Sequence, residues 1–359
     1  MRDVLFISKP IAPPWTDSNK NLVRDLARGL TRYRARVMVP HGTSFDGAVS
    51  EPVYQSLGKY SPSRAANARV LARLLVGPRA DVWHFFFAPN PLTLSAGRVA
   101  SLLRRAPTVH TIASAPDGLE AVAPQLFADR VVVLSEHTAA RLARVGVTAT
   151  VIPPALGDVA VTSDAIARAK ERYKLPERYV LYPGDLEHSD GARTFVRAAA
   201  RSEGRGFGWV VAARPKTPAA REALTRLSDE ARKLGAPVTW LGELDDILAV
   251  VAGASATVLV TDTLHAKMDW PLVLLEALAL GVPVLVGNRT AAAELVQSGG
   301  AFALSAGDDR AVADECQRFV EDPVAARSMA DEGGRWVRAT CSPAVVAARY
   351  EALYDELTR

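Results

Sequence analysis

A chain of 359 residues is long for one hydrophobic core and comfortable for two domains, and 49% apolar with 23% charged residues is the balance of an ordinary folded protein. No stretch is a convincing membrane span, and two cysteines, Cys316 and Cys341, are too few for a disulfide framework or a cysteine metal cluster and suit a reducing, cytoplasmic compartment. The net charge of +4 hides an asymmetry: residues 1–160 carry 19 Lys and Arg against 11 Asp and Glu, the remainder 24 against 28.

The chain opens on a short apolar run at 3–8, a strand rather than the longer core of a signal peptide. The loop that follows, from Lys9 to Lys20, ends in Thr16, Asp17 and Ser18, each able to cap a helix, and Lys20 near that N-terminus suits an anionic group. The predicted helix carries Leu22, Leu26 and Leu30 on one face and Arg24, Arg28 and Arg32 on the other. Such a basic stripe can dock peripherally on the anionic inner face of a membrane, and a solvated face has the same pattern. No aromatic RNA-binding motif, zinc-finger spacing or helix-turn-helix pattern accompanies it, so no nucleic-acid partner is expected. Neither a G-x-G-x-x-G fingerprint at the first turn nor a Walker loop occurs, which argues against NAD enzymes and P-loop hydrolases.

Further strands are predicted at 36–40, 82–86, 108–112, 130–134 and 150–152, most followed by helical patterns. Pro153-Pro154 breaks the alternation, and a second set follows at 179–182, 209–213, 238–241, 257–260, 282–286 and 301–304. Alternating strands and helices signal doubly wound parallel sheets, here two α/β, Rossmann-like domains joined near residue 155. Residues 343–357 have helical periodicity.

The most informative stretch is 267–284, KMDWPLVLLEALALGVPV, which sets one carboxylate, Glu276, within an apolar helix. Pro271 suits the first helical position, and Gly281 and Pro283 end the helix ahead of a strand. Burying an unpaired carboxylate costs several kcal/mol, roughly, so Glu276 needs a partner, and the helix dipole has faded at its position. A ligand hydroxyl or a protein donor would serve; solvent or a neighbouring loop would serve as well.

This stretch resembles the donor-binding signature of retaining glycosyltransferases of the GT-B fold, specifically the GT4 family. The resemblance implies two Rossmann-like domains facing a central cleft, 1–155 for the acceptor and 156–341 for the sugar nucleotide, with a last helix, 342–359, packing back on the first. It implies that Glu276 bonds the ribose hydroxyls of a nucleotide sugar, most plausibly a UDP-sugar, with backbone amides around Pro271, Leu272 and Val273 at the diphosphate. The family's second Glu, eight residues earlier, is replaced by Met268, leaving Asp269 to take over the sugar contact and Lys267 as a nearby cation. The segment from Tyr182 through Gly184 to Gly191 aligns with a family loop whose two basic residues bind the diphosphate, but those positions are Asp185 and Asp190 here. Arg214 and Lys216, after the next strand, are the expected replacements. The turn holding Glu243 and Leu244 resembles the loop that meets the nucleotide base.

In the first domain, His84 and Ser114 fall in segments resembling family strand ends on the acceptor side, and together with Asp269 they are the catalytic candidates. Trp15, Lys20, His110 and Ser135 are further acceptor-side candidates, although a buried strand histidine is often structural and Ser135 suits a helix cap. The resemblance implies transfer with retention, the donor phosphate accepting the acceptor's proton, which accounts for the lack of a paired-carboxylate or Ser-His-Asp constellation. No metal or cofactor is expected, and the acceptor is open. A catalytically silent sugar-nucleotide binder and another GT-B enzyme, such as a sugar-nucleotide epimerase, are the alternatives.

Overall fold

The computed structural model describes residues 1–359 except 45, 57–61, 203–205, 216 and 266. It divides into two compact units, 1–157 with 266–270 and 340–359, and 158–265 with 271–339.

The first unit is built on a seven-stranded parallel sheet in the order β3-β2-β1-β4-β5-β6-β7. The strands are β1 (Arg2–Ser8), β2 (Tyr33–Pro40), β3 (Val49–Tyr54), β4 (Val82–Phe86), β5 (Thr108–Ile112), β6 (Arg130–Val133) and β7 (Thr150–Val151). Between them lie α1 (Ser18–Gly29), α2 (Arg64–Val76), α3 (Pro91–Arg104), the single turn α4 (Leu119–Val122) and α5 (Glu136–Ala143). β3 has no counterpart among the predicted strands. It contains Pro52 and pairs only with β2, an edge position where a missing N–H is tolerated and the strand pattern is weak.

The second unit holds a six-stranded parallel sheet, β10-β9-β8-β11-β12-β13. Its strands are β8 (Tyr179–Tyr182), β9 (Gly208–Ala212), β10 (Val238–Leu241), β11 (Ala256–Leu259), β12 (Val284–Gly287) and β13 (Ala301–Leu304). The helices are α6 (Ser163–Tyr173), α7 (Gly191–Arg201), α8 (Pro218–Lys233), α9 (Ile247–Ala252), α10 (Leu272–Ala279), α11 (Asp309–Glu321) and α12 (Pro323–Cys341). Val180, Leu181, Val210, Val211, Val258, Leu285 and Val286 are essentially inaccessible, as strands covered by helices on both faces require.

The last helix, α13 (Pro343–Leu357), packs within the first unit against α1. The approach is close: a Cβ on Gly29 would lie 2.2 Å from the Pro343 carbonyl oxygen. Glu351, only 3% exposed, accepts from the backbone N–H of Arg32 (2.6 Å), Thr31 (2.7 Å) and Tyr33 (3.3 Å), at the turn between α1 and β2. The Arg32 guanidinium closes on it at 3.1 Å and also reaches Asp355. Arg24 pairs with Asp25 and lies over the Trp15 ring, and Arg28 donates to the Asp46 carbonyl. The arginines of the stripe thus each make an intramolecular contact, while Arg28 and Arg32 stay exposed.

The units part after Gly157, later than Pro153-Pro154. Both prolines are buried in the first unit, Leu156 N–H donates to Cys341 O (2.8 Å), and Gly157 N–H donates to the buried Asp25 carboxylate (3.0 Å). The diproline at the expected domain junction is thus part of a core.

Burial opposes ionisation of Glu351, but the amides of Arg32 and Thr31 outweigh it and hold the carboxyl below its ordinary range. A carboxylate depressed in the fold contributes stability above its unfolded pKa and loses it as pH falls through the folded value. Glu351→Ala should lower the stability of the first unit by about 3 kcal/mol at pH 7, since three amides lose their acceptor. Glu351→Gln should flatten the decline of the melting temperature below about pH 4.3; an unchanged acid limb in Glu351→Gln would remove Glu351 from that role.

Candidate functional site

In an open parallel sheet the loops diverge where the strand order reverses, and the crevice opens at the carboxyl ends of the strands there. In the second unit the reversal lies between β8 and β11. The loop after β8 turns tightly: a Cβ on Gly184 would meet the Tyr182 ring at 2.2 Å, and the Tyr182 hydroxyl donates to Asp185 O at 3.0 Å. Gly287, ending β12, approaches so closely that a Cβ would stand 1.9 Å from Thr261 O in the loop after β11.

Side chains tie these loops together. Glu187 accepts from the Thr217 hydroxyl (2.5 Å) and contacts His188 Nε2 (2.9 Å), which joins the loop after β8 to the start of α8. The His188 ring lies 4.7 Å from that of His265, bridging the loops after β8 and β11 across the reversal. Arg214, after β9, donates to Glu243, after β10, at 2.8 Å. Residues His188 and His265 did not stand out in the sequence; only the register of the sheet brings positions so far apart in the chain into ring contact.

α10 follows the loop after β11, and Pro271 precedes it without a side-chain cap. Leu272, Leu274, Leu275, Ala277 and Leu278 are buried, whereas Val273 and Glu276, three residues apart and so on one face, are half-buried. The Glu276 carboxylate therefore stands on the accessible stripe of an otherwise buried helix. Gly281, at φ 74°, ends the helix as its left-handed stop, and Val282 N–H donates back to Ala277 O at 2.9 Å.

Gly184, Arg214, Glu243, Leu244, Pro271, Leu272, Val273 and Glu276 all lie at carboxyl ends of the second unit's strands or on the helix that follows β11. Lys216 lies outside the described residues. Asp185 does not face outward as a bare charge: its carboxylate accepts from His188 N–H at 2.9 Å, while Asp190 is exposed. Arg214 is also not simply a spare cation, since Glu243 already faces it.

The first-unit candidates need correction. His84 lies in the interior of β4, completely buried, with Nδ1 2.6 Å from the Tyr354 hydroxyl and Nε2 2.7 Å from that of Thr111, which in turn lies 3.0 Å from the Tyr350 hydroxyl. It joins the sheet to α13 and has no face for a substrate. Burial pushes its pKa well below the ordinary value, with His110 adding to the effect. His110 is equally buried, bound through Nε2 to Phe87 O (2.9 Å), and burial lowers it to about 4. Ser135 caps α5 by accepting from Thr138 N–H, and its hydroxyl donates to Asp269 at 2.6 Å.

Asp269 is 4% exposed, and its own N–H donates to Ala113 O at 3.3 Å. It thus fastens residues 266–270 into the first unit rather than presenting a carboxylate to a sugar. Lys267 in the same segment is half-buried. Ser114 is half-buried in the loop after β5, Trp15 is half-buried under Arg24, and Lys20 donates to Ala12 O at 3.1 Å. Among the described residues no group of three His, Cys, Asp or Glu could hold a metal, and no helix is long and apolar enough to cross a membrane.

Residues 177–322, the strand-end loops and α10 included, match the family described as Glycosyl transferases group 1. The whole chain superposes on solved glycosyltransferase structures. HepE of Anabaena, solved with UDP-glucose, aligns with 99% of this chain and 100% of its own at a TM-score of 0.77 and 17% identity. The fold is GT-B. Sucrose-phosphate synthase of Thermosynechococcus elongatus covers 99% of both chains at 0.77 and 20% identity, and a glycosyltransferase of Rickettsia africae 100% and 99% at 0.75 and 14%. At such identities the likeness carries the GT-B architecture and not the substrates. No curated protein matches in sequence.

Burial raises the Asp269 pKa against the pull of the Ser135 hydrogen bond. A carboxyl raised in the fold costs stability as pH climbs past its unfolded value. Asp269→Asn, which keeps an acceptor for Ser135, should therefore match or exceed the wild type in urea unfolding at pH 7, and the difference should close as the pH approaches 4. Ser135→Ala should lose about 1–3 kcal/mol, because the carboxylate keeps its burial and loses its donor. Equal destabilisation by Asp269→Asn and Ser135→Ala would contradict the assignment.

Proposed function

We propose that this protein transfers a glycosyl group from a nucleotide sugar, a UDP-sugar in the first instance, to an acceptor with retention of anomeric configuration. The observation that carries the reading is Glu276: it is the carboxylate on the accessible stripe of α10, beside the β8/β11 crevice, at the position that resembles the ribose-binding Glu of group 1 glycosyltransferases. HepE, of the same fold, is solved with UDP-glucose, which supports the choice of base.

On this reading the second unit holds the donor. Glu276 accepts from two ribose hydroxyls, and the Glu243–Leu244 turn meets the base with backbone groups. The diphosphate lies at the start of α10, where the N–H groups of Leu272 and Val273 point towards it without a competing side-chain cap. Arg214 adds charge if it exchanges Glu243 for phosphate, an exchange between ion pairs at the surface that costs little. As the anomeric bond breaks, these fixed donors stabilise the charge that gathers on the leaving diphosphate, and a phosphate oxygen takes the acceptor's proton. The reading needs neither a metal ion nor a protein base.

A second reading has its own support. Asp185 and Asp190 stand where family members carry the cations for the diphosphate, which is the pattern of a nucleotide-sugar binder without turnover.

Thermal unfolding in the presence of UDP-, GDP-, ADP- and TDP-sugars tests the donor site. A ligand at 100 times its dissociation constant adds about 2.7 kcal/mol to the folded state, so one nucleotide should raise the wild-type melting temperature and leave Glu276→Ala unmoved. A shift that survives in Glu276→Ala places the nucleotide elsewhere. Release of UDP in the presence of an acceptor pool, with the product's anomeric proton read by NMR, separates transfer with retention from binding alone.

A further inference from the structure

The outer face of α3 is apolar and uncovered. Leu92, Val99, Leu102 and Leu103 are 55–75% exposed and recur at spacings of seven, three and four, which sets them on one face of the helix over about 16 Å. The opposite face, through Leu94, Gly97, Ala100 and Ser101, is buried in the first unit. Large apolar side chains exposed singly are ordinary, but four on one helical face form a patch that solvent alone does not explain.

Charge frames the patch. Residues 62–107, which hold α2, β4 and α3, contain seven arginines and a single acidic residue, Asp81, whose carboxylate is bound to the Asp3 N–H. Arg98 is exposed on α3, and Arg105, exposed as well, caps the end of the helix in a left-handed conformation (φ 49°). Arg104 donates to Leu75 O (2.6 Å) and Gly77 O (2.8 Å), so it holds the end of α2, with the exposed Val76, beside the end of α3.

We propose that this face of α3 seats the protein on an anionic lipid surface, with Leu92, Val99, Leu102 and Leu103 entering the acyl boundary and Arg98 and Arg105 lying among the headgroups. An apolar helical stripe bordered by arginine is the arrangement that binds at an interface, where buried apolar area and attraction to anionic lipid add. A soluble protein partner or a second copy would satisfy the apolar face but gives no reason for the one-sided arginine excess. The inference concerns the first unit alone and does not depend on which reaction the second unit supports.

Co-sedimentation with vesicles of phosphatidylcholine, with and without phosphatidylglycerol, tests it directly. The full chain should partition onto the anionic vesicles at least tenfold more than onto neutral ones, and increasingly so as salt is lowered. Val99→Glu/Leu103→Glu should abolish partitioning, and Arg98→Glu/Arg105→Glu should remove the preference for phosphatidylglycerol. Leu234→Glu, an equally simple change at an exposed position of the second unit, should leave it intact. Because all five altered side chains are exposed, the variants should keep the wild-type melting temperature. Equal partitioning of the wild type and Val99→Glu/Leu103→Glu would overturn the proposal. So would no binding to either vesicle at low salt, or a dimer in lipid-free solution that Val99→Glu/Leu103→Glu dissociates, which would give the face to a second copy.

Discussion

The first unit depends on one carboxylate. Glu351 comes from the end of the chain and satisfies three consecutive backbone amides at the entrance to β2. A hydrogen bond to a charged acceptor contributes about 1.5–3 kcal/mol, so α13 completes the fold of a sheet whose strands all lie in the first half of the sequence. The contact is possible only because Gly29 ends α1 without a side chain, letting Pro343 approach. Glu351, Gly29 and the His84–Tyr354 pair then act together: the first two bring α13 down, and the third locks it to the centre of the sheet.

Residues 266–270 illustrate the same economy at smaller scale. The chain leaves the second unit after His265, fixes Asp269 on Ser135 and Ala113 within the first, and re-enters the second at Pro271, immediately before α10. The helix that carries Glu276 thus begins one residue after a segment anchored elsewhere. Asp269 is buried with a raised pKa, an arrangement that gives up stability for a fixed position.

Strands buried on both faces announce themselves by short β-branched and aromatic runs, and for this reason β4, β5 and β8 lie at the boundaries that the sequence pattern predicts, as do the half-buried edge strands β10 and β13. β3 escapes because an edge strand with Pro52 lacks that pattern. The helix stop at Gly281 and the accessible Glu276 were legible from local chemistry, since a proline start, a glycine stop and one carboxylate among leucines are sequence-level signals. The partners of His84, Ser135 and Asp269 were not, because each lies 27–270 residues away in the chain and only the folded sheet brings them together. The resemblance pointed to His84 and Asp269 as reacting groups; burial assigns them to the framework.

The electrostatics of the β8/β11 crevice bear on how the proposed donor would be held. Among its described residues Arg214 faces Glu243, Glu187 accepts from Thr217 and contacts His188, and Asp185 accepts from the His188 amide. Hydrogen bonds to a hydroxyl or an amide leave a carboxylate charged, so these side chains offer a diphosphate no long-range attraction, and recognition would rest on short-range hydrogen bonds from fixed backbone donors at the start of α10 and on hydroxyls that donate to Glu276. Such contacts depend on geometry more than on salt, in contrast to a cradle of Arg and Lys. On the proposed reading, the replacement of the two cations that the resemblance expects by Asp185 and Asp190 shifts the work of stabilising the leaving group onto the α10 amides.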